Sequence, residues 1–567
     1  MPRLSMPPDA PLSRRALLAL VALFALVWFS GLDVRVLLHP DEGRYAEIPR
    51  EMVVTGDWLS PRLNGLKYFE KPPLQYWMTA VAYEAFGVHH WTARLWTAVS
   101  TFLATLFIGY AGSRLGGPTL GLYAAAAMAG CAGYVVNAHL LTLDGALGAL
   151  LTTALGAFLL AQRAGATPGE CRGWMWVAWA AMAGATLSKG LIGIVIPGAT
   201  LALYTVVTRD LGVWRRLHVV TGTALFLLLT APWFIAVSRA NPEFFQFFFI
   251  HEHFERYLTV THGRQEPWWY FLPLLLVGML PWLAVLAWGT RRMWRDGTPG
   301  ANGFSWQRFT LAWSVFVFVF FSASGSKLPS YILPMFPALC LLCGWLLHDI
   351  DPRMLLRLTW PNAIFAAVLA VGVWLGFDPL ARRFITDEAS LAPALRFAPW
   401  VTAGIAVVAL GSAAAVLALR GGRAQGRTLA VLATALPMLV AVQLGIVGYD
   451  NFRTTRSSRD ILRAAEAVNG PFAAGLPFYH VHMHDQTVPF YLGRPTIFVS
   501  YRDEFALGQD AEPGRAFASD TEWLPVWDGL AQGYAMMPVR DFERFATQGV
   551  PMRLLARDPR RVVVSRR

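Results

Sequence analysis

His39-Pro40-Asp41-Glu42-Gly43-Arg44-Tyr45-Ala46-Glu47-Ile48-Pro49-Arg50-Glu51-Met52 is followed by Gly56-Asp57-Trp58, by Pro61-Arg62, and by Tyr68-Phe69-Glu70-Lys71-Pro72-Pro73. Carboxylates and cations crowd this stretch, yet apolar runs of membrane length flank it on both sides. Charge beside so much hydrocarbon-seeking sequence is costly unless it binds something. The stretch therefore reads as the polar floor of an active site, set where membrane-embedded helices meet water.

The surrounding composition fixes the class. Of 567 residues, 55% are hydrophobic and 15% charged. Apolar runs near twenty residues recur from Arg15 to about Gly448, the pattern of a polytopic α-helical membrane protein. The formal net charge of +12 reads as orientation signal. No basic stripe with interleaved aromatics points to nucleic acid. Four cysteines, Cys131, Cys171, Cys340 and Cys343, imply no disulfide framework. Cys340 and Cys343 form a C-x-x-C inside an apolar run, where packing is the simpler role.

Thirteen crossings are expected, at about 16–32, 93–114, 118–138, 142–162, 174–188, 190–208, 217–238, 267–290, 308–324, 330–347, 360–377, 399–419 and 428–447. The run 74–87 is too short to cross and contains Gln75 and Glu84. Were it to cross, the clusters Arg291-Arg292-Arg295 and Arg420-Arg423-Arg427 would lie outside, against the positive-inside preference. Segments 41–54 and 74–87 are instead expected as amphipathic helices on the outer face, within an external loop 33–92. Residues 1–448 then form the transmembrane domain, and 449–567 a soluble external domain. That domain shows a helical pattern at Ser458–Val468 and strand-like runs at Phe472–Gly475, Thr496–Ser500 and Val562–Ser565, which suggests a small α/β fold. Its tract His480-Val481-His482-Met483-His484-Asp485 suits metal, although alternating residues on a loop or strand are the commoner outcome.

Within the opening stretch, Pro40 suits a helix start, and Asp41, Arg44 and Tyr45 share one face at i, i+3 and i+4. Glu42 and Glu47 point elsewhere, and Pro49 is expected to kink the helix or to begin a new one. An acid, a guanidinium and a phenol on one face suit an anionic substrate; a wet Asp–Arg pair is the plainer alternative. In Glu70-Lys71-Pro72-Pro73 the prolines make a rigid strip, and Lys71 can hold a phosphate as a point charge. Glu70 completes a divalent-metal site, zinc for example, with His251 of His251-Glu252-His253 if the two loops meet; hydrogen-bonded loop histidines are the alternative. Asp144 and Lys189 lie at the outer ends of spans, and Ser326-Lys327-Leu328-Pro329-Ser330-Tyr331 sets a cation and a phenol at another span mouth.

These motifs resemble a known family. Asp41-Glu42-x-Arg44-Tyr45-Ala46-Glu47-Ile48-x-Arg50-Glu51-Met52, Gly56-Asp57-Trp58-x-x-Pro61-Arg62, Gly65-Leu66-x-Tyr68-Phe69-Glu70-Lys71-Pro72 and Lys327-Leu328-Pro329-Ser330-Tyr331-Ile332-Leu333-Pro334 resemble bacterial aminoarabinose transferases. These are integral-membrane GT-C glycosyltransferases related to protein O-mannosyltransferases. The resemblance implies an inner-membrane enzyme whose site and C-terminal domain face the periplasm. It implies an undecaprenyl-phosphate-linked 4-amino-4-deoxy-L-arabinose donor, a lipid A phosphate acceptor, and resistance to polymyxin and other cationic peptides. By position, Asp41, Glu70, Lys71, Asp144, Lys189, His251 and Tyr331 match residues lining the family's cavity. Catalytic roles then fall to Asp41, Glu70 and Lys71, and substrate contacts to Arg44, Tyr45, Tyr68, Asp144, Lys189, Lys327 and Tyr331. Two rivals are another lipid-linked glycosyltransferase and, from a different class, a flippase of lipid-linked sugars. Inverted repeats with broken helices at the midplane would favour the flippase; the sequence shows no such repeat, and its charges cluster at one face rather than the midplane.

Overall fold

A computed structural model describes residues 11–255, 266–297, 299–421 and 425–566, with the main chain alone for 251–255. Among these residues eight helices are long and apolar enough to cross a membrane, or up to ten when each of two bent helix pairs is taken as one span. The chain is thus a multi-pass membrane protein. Each of the expected spans coincides with a helix or a bent pair, but Arg14–Phe29, Pro168–Lys189 and Ile192–Thr208 fall short of that length-and-hydropathy criterion.

Two expected spans are not single helices. The run 118–138 breaks into Pro118–Ala129 and Ala132–Ala138, bent by 65°, and 267–290 breaks into Phe271–Gly278 and Leu283–Arg295, bent by 108°. The breaks face each other. Ala132 donates its backbone N–H to Leu280 O at 3.4 Å, and Cys131 Sγ lies 3.2 Å from Gly278 O. A Cβ on Gly130 would meet the Ala435 backbone at 2.7 Å, and Pro281 supplies no donor at the second break. Irregular backbone at membrane depth is tolerated where protein buries it in this way. Elsewhere small residues let helices touch: a Cβ on Gly121 would lie 2.3 Å from Gly109 O.

The segment between the first two long helices folds over their ends. Helix Asp41–Thr55 is continuous through Pro49, so no new helix begins there as one of the two expectations had it, and it ends at Gly56 with φ +72°. Pro49 removes one backbone donor, but the helix is buried for most of its length, so packing holds it together. A short hairpin, β1 (Arg62–Leu63) with β2 (Leu66–Lys67), and helix Leu74–Phe86 complete the segment. At 13 residues, Leu74–Phe86 is too short to cross.

The C-terminal sheet contains β3 (Phe478–Val481), β4 (Ile497–Val499), β5 (Ala516–Phe517), β6 (Tyr534–Pro538), β7 (Arg553–Arg557) and β8 (Arg561–Ser565), ordered β5-β4-β3-β6-β8-β7. β5, β4, β3 and β6 are parallel, and β8 and β7 extend the sheet antiparallel. Side chains alternate between its faces. Tyr534 and Met536 pack with Ile461 and Leu462 of helix Arg459–Asn469. Ala535 and Met537 pack with Trp523, Trp527 and Phe545 on the other face. The expected strand at Phe472–Gly475 is not one: the chain turns there, Leu476 N–H bonding Ala473 O at 3.2 Å, and the pairing strand starts at Phe478.

This sheet unit is docked on helix Asp41–Thr55 and the hairpin. One apolar cluster joins Leu63, Leu66 and Tyr68 to Phe498 and Phe505. Asn64 exchanges two hydrogen bonds with the Thr496 backbone, at 2.7 and 2.8 Å. Gly43 sits where the backbones meet; an added Cβ would lie 2.5 Å from the Gln486 carbonyl carbon.

Candidate active site

Helix Asp41–Thr55 presents Asp41, Arg44 and Tyr45 as its periodicity predicts. Asp41 occupies the first helical position, where the helix dipole favours a carboxylate, and its side chain is 46% exposed. Arg44 Nη1 donates to Asp41 Oδ1 at 3.3 Å. The other end of the guanidinium is held by a residue that no local signal marks: Arg44 Nη2 pairs closely with Glu504 of the C-terminal domain. Gln486 Nε2 donates to Glu504 Oε1 at 2.6 Å, and Gln486 Oε1 lies 2.6 Å from His39 Nδ1. The guanidinium carbon stands 5.9 Å from the Tyr45 ring centroid and 6.0 Å from that of Tyr68. Tyr45 in turn stacks on Tyr76.

Burial shapes the electrostatics here. It pushes the Glu504 carboxyl up against the pull of Arg44, and the nearby Glu70 charge adds to the rise. Burial alone would lower the Arg44 pKa, but Tyr68, Glu504, Tyr45 and Glu70 hold it well above its ordinary value. Tyr68 is pushed well above the usual phenol range by burial and by the Glu70 and Glu504 charges, so it stays neutral. Glu70 therefore belongs electrostatically to the Arg44 site. Lys71 Nζ donates to Glu70 O at 2.7 Å and lies 3.9 Å from Glu70 Oε2, and both side chains are largely buried.

A second cluster forms at the span mouths. Lys189 Nζ pairs closely with Asp144 and stands 4.8 Å from the Tyr331 ring centroid. Ser330 Oγ donates to the other Asp144 oxygen at 2.7 Å. Four residues from three separate regions of the chain thus converge, as a shared pocket requires. Leu143 packs in the same apolar cluster as Tyr45, Tyr68 and Tyr76, which sets the two clusters side by side. Lys327 Nζ donates to Ser324 O at 2.7 Å and to Glu266 O at 3.0 Å, tying two loops.

Phe69 packs edge-on against Phe244 at 5.4 Å, so the chain leading to His251 begins beside Glu70. His251 lies in a π-helix, Gln246–Glu255, a rare turn often found at functional sites; its side chain lies outside the described residues. Among the described residues no group of three or more His, Cys, Asp and Glu side chains is arranged to hold a metal, the tract at 480–485 included. There His480 and His484 are buried ring to ring, and His482 bonds Asp520 at 2.6 Å. Cys340 and Cys343 are buried free thiols.

Glu42 does point elsewhere. Arg35 holds it at 2.6 and 2.7 Å, Arg94 at 2.9 and 3.0 Å, and the backbone of Leu38 and Leu141 at 3.1 Å. Its carboxyl lies well below the usual range: burial opposes ionisation, and the two arginines more than offset it. This buried cluster fixes the start of the helix, and hence where Asp41 and Arg44 point.

Comparison with known proteins bears directly on this site. Residues 464–566 match the family model of the aminoarabinose transferase C-terminal domain, and residues 13–251 that of dolichyl-phosphate-mannose-protein mannosyltransferase. The undecaprenyl phosphate-alpha-4-amino-4-deoxy-L-arabinose arabinosyl transferase of Aeromonas salmonicida is 33% identical over 68% of this chain and 71% of its own length. The chain belongs to this arabinosyl transferase family.

The family member of Edwardsiella ictaluri is 32% identical over 57% of this chain, and the match spans 58% of that relative. The crystal structure of ArnT from Cupriavidus metallidurans bound to undecaprenyl phosphate superposes with a TM-score of 0.90 at 37% identity, covering 98% of this chain and 99% of that one. Its apo form gives 0.88. The arabinosyl transferase fold therefore extends across both the membrane region and the C-terminal sheet.

Proposed function

We propose that this chain transfers 4-amino-4-deoxy-L-arabinose from undecaprenyl phosphate to a phosphate group of lipid A, masking its negative charge and lowering sensitivity to polymyxin. The observation that carries the reading is the convergence of Arg44, Lys71 and Glu70 with Asp41, Tyr45 and Tyr68 in a chain that matches a relative holding undecaprenyl phosphate. The arginine-rich loops at one end of the spans support an inner-membrane setting with the site and residues 449–567 in the periplasm.

The chemistry is substitution at the anomeric carbon with inversion. An acceptor phosphate oxygen forms the new bond, and the anomeric C–O bond to undecaprenyl phosphate breaks with its electron pair leaving on the phosphate. Lys71 and Arg44 offset the charge that grows there, in a site where burial strengthens each interaction. An acceptor phosphate is already ionised near neutral pH, so Asp41 orients an acceptor group and balances cations. Tyr45, Tyr68, Asp144, Lys189 and Tyr331 bind the sugar and phosphates. A divalent cation of the zinc type, if taken up by the Glu70 carboxylate and the His251 imidazole, would supply positive charge to the leaving phosphate.

The test is mass spectrometry of lipid A from a strain that lacks its own transferase but makes the donor. Aminoarabinose on a lipid A phosphate is expected with the wild-type chain and is expected to vanish with Asp41→Asn. Unmodified lipid A beside folded, inserted wild-type protein would overturn the reading.

A further inference from the structure

Helix Asp41–Thr55, the β1–β2 hairpin and the segment Gly493–Pro495 line a cavity of about 370 Å³ that opens to solvent. That is within the range of small-molecule sites. Four arginines line it: Arg50, Arg62, Arg494 and Arg515. It is separate from the Arg44 site. Arg50 lies further along the helix than Asp41 by about 14 Å of helical rise, and on the opposite side of the axis.

Two of these cations are answered, Arg50 by Glu47 at 2.6 Å and Arg62 by Glu512 at 2.9 Å. Arg515 Nη1 donates to Gly65 O at 2.8 Å, and Arg494 Nη1 donates to Ala474 O. Among the described residues no carboxylate pairs with either, and Nη2 of the partly exposed Arg494 has no protein acceptor. A guanidinium donor without a protein acceptor is open to a charge-assisted bond from an added anion. The carboxyl of Glu51, also in the lining, is pushed up to about 8 by burial and by the Glu47 charge, so it adds little negative charge at neutral pH. Arg494 and Arg515 thus stand in the lining with no carboxylate partner among the described residues, beside Arg50 and Arg62, which have one each. Guanidinium groups match the geometry of phosphate oxyanions, and several in one lining suit such a group.

We propose that this cavity is a second, non-catalytic anion site that takes a phosphate monoester group, carried by a lipid headgroup or free in solution. Its position gives the consequence. Arg50 and Arg62 belong to the membrane-proximal segment, and Arg494 and Arg515 to the C-terminal domain. A phosphate held between them fastens the domain to the segment that carries Asp41 and Arg44.

The full chain in micelles is titrated with inorganic phosphate while thermal unfolding is followed. In a second arm it is placed in nanodiscs containing a diphosphorylated glucosamine-disaccharide lipid or neutral lipid alone. Wild type is compared with Arg494→Gln/Arg515→Gln, with Arg515→Gln alone, since that side chain is exposed, and with Arg44→Gln. Phosphate is expected to raise the melting temperature of wild type and of Arg44→Gln, and the pocket variants are expected to bind it about tenfold or more weakly. A shift in the lipid arm identifies a headgroup as the source, and a shift with inorganic phosphate alone identifies the free anion; both support the site. Equal shifts in wild type and in the pocket variants would overturn it. So would loss of the shift in Arg44→Gln alone, which would place the anion at the catalytic site, or no shift in wild type. Lipid A modification measured in the same variants reads the transferase proposal separately.

Discussion

Glu504, on the C-terminal sheet domain, pairs with Arg44, on the helix that carries Asp41. Both side chains are largely buried, so neither charge is well solvated without the other. The C-terminal domain is therefore part of the candidate active site as well as a cover for it.

Glu504→Ala is predicted to lower transfer by about tenfold or more and to destabilise the protein by about 3 kcal/mol, because it leaves a buried guanidinium unpaired. Lipid A transfer rates and thermal unfolding in micelles would measure both. A variant with wild-type rate and stability would separate Glu504 from the site.

Asp41→Asn should behave differently. Asp41 is about half exposed, so its loss should change stability by no more than about 0.5 kcal/mol while transfer is abolished. Unfolding curves matching wild type, alongside absent product, are the expected pair of results.

The Asp144–Lys189 pair is predicted to act as a unit. Asp144→Asn and Lys189→Met should each reduce kcat/KM by about tenfold or more, and the double variant should be little worse than either single one. Additive losses would show that the two residues serve separate steps.

Gly43 is the contact point between helix Asp41–Thr55 and the Gln486–Thr487 backbone. Gly43→Ala puts a Cβ within 2.7 Å of three backbone atoms that cannot move aside cheaply. A loss of about 1–3 kcal/mol and faster proteolytic release of the C-terminal domain are expected.

Glu51 makes stability depend on pH. Its folded pKa is raised to about 8 from an ordinary 4.5, by burial first and then by the Glu47 charge. A carboxyl with a raised folded pKa contributes stability that is fully present below about pH 4.5 and is lost as pH rises through 8. Melting temperature should fall between pH 5 and 8 by more in wild type than in Glu51→Gln. Parallel curves for the two proteins would show that Glu51 does not titrate in that window.

Much of this was legible in the sequence. Hydropathy runs defined a polytopic membrane protein with a C-terminal α/β unit, and a 3.6-residue period placed Asp41, Arg44 and Tyr45 on one face. These are local properties, read from neighbours along the chain. They also placed Glu42 on a different face, and the structure finds it there between Arg35 and Arg94. The tertiary structure alone decided the partners. Tyr68 and Glu504 lie 436 residues apart in sequence, and nothing near Glu504 in the sequence distinguishes it from the other acids of its domain. Ser330 on Asp144, the bonding of Lys327 to backbone carbonyls, and the arginine cavity at the domain seam depend likewise on how distant segments pack. So do the two broken spans, because hydropathy counts apolar residues and is blind to a Gly or Pro where another helix presses in. Local physics set which groups each element could offer; close packing between elements set which of them meet.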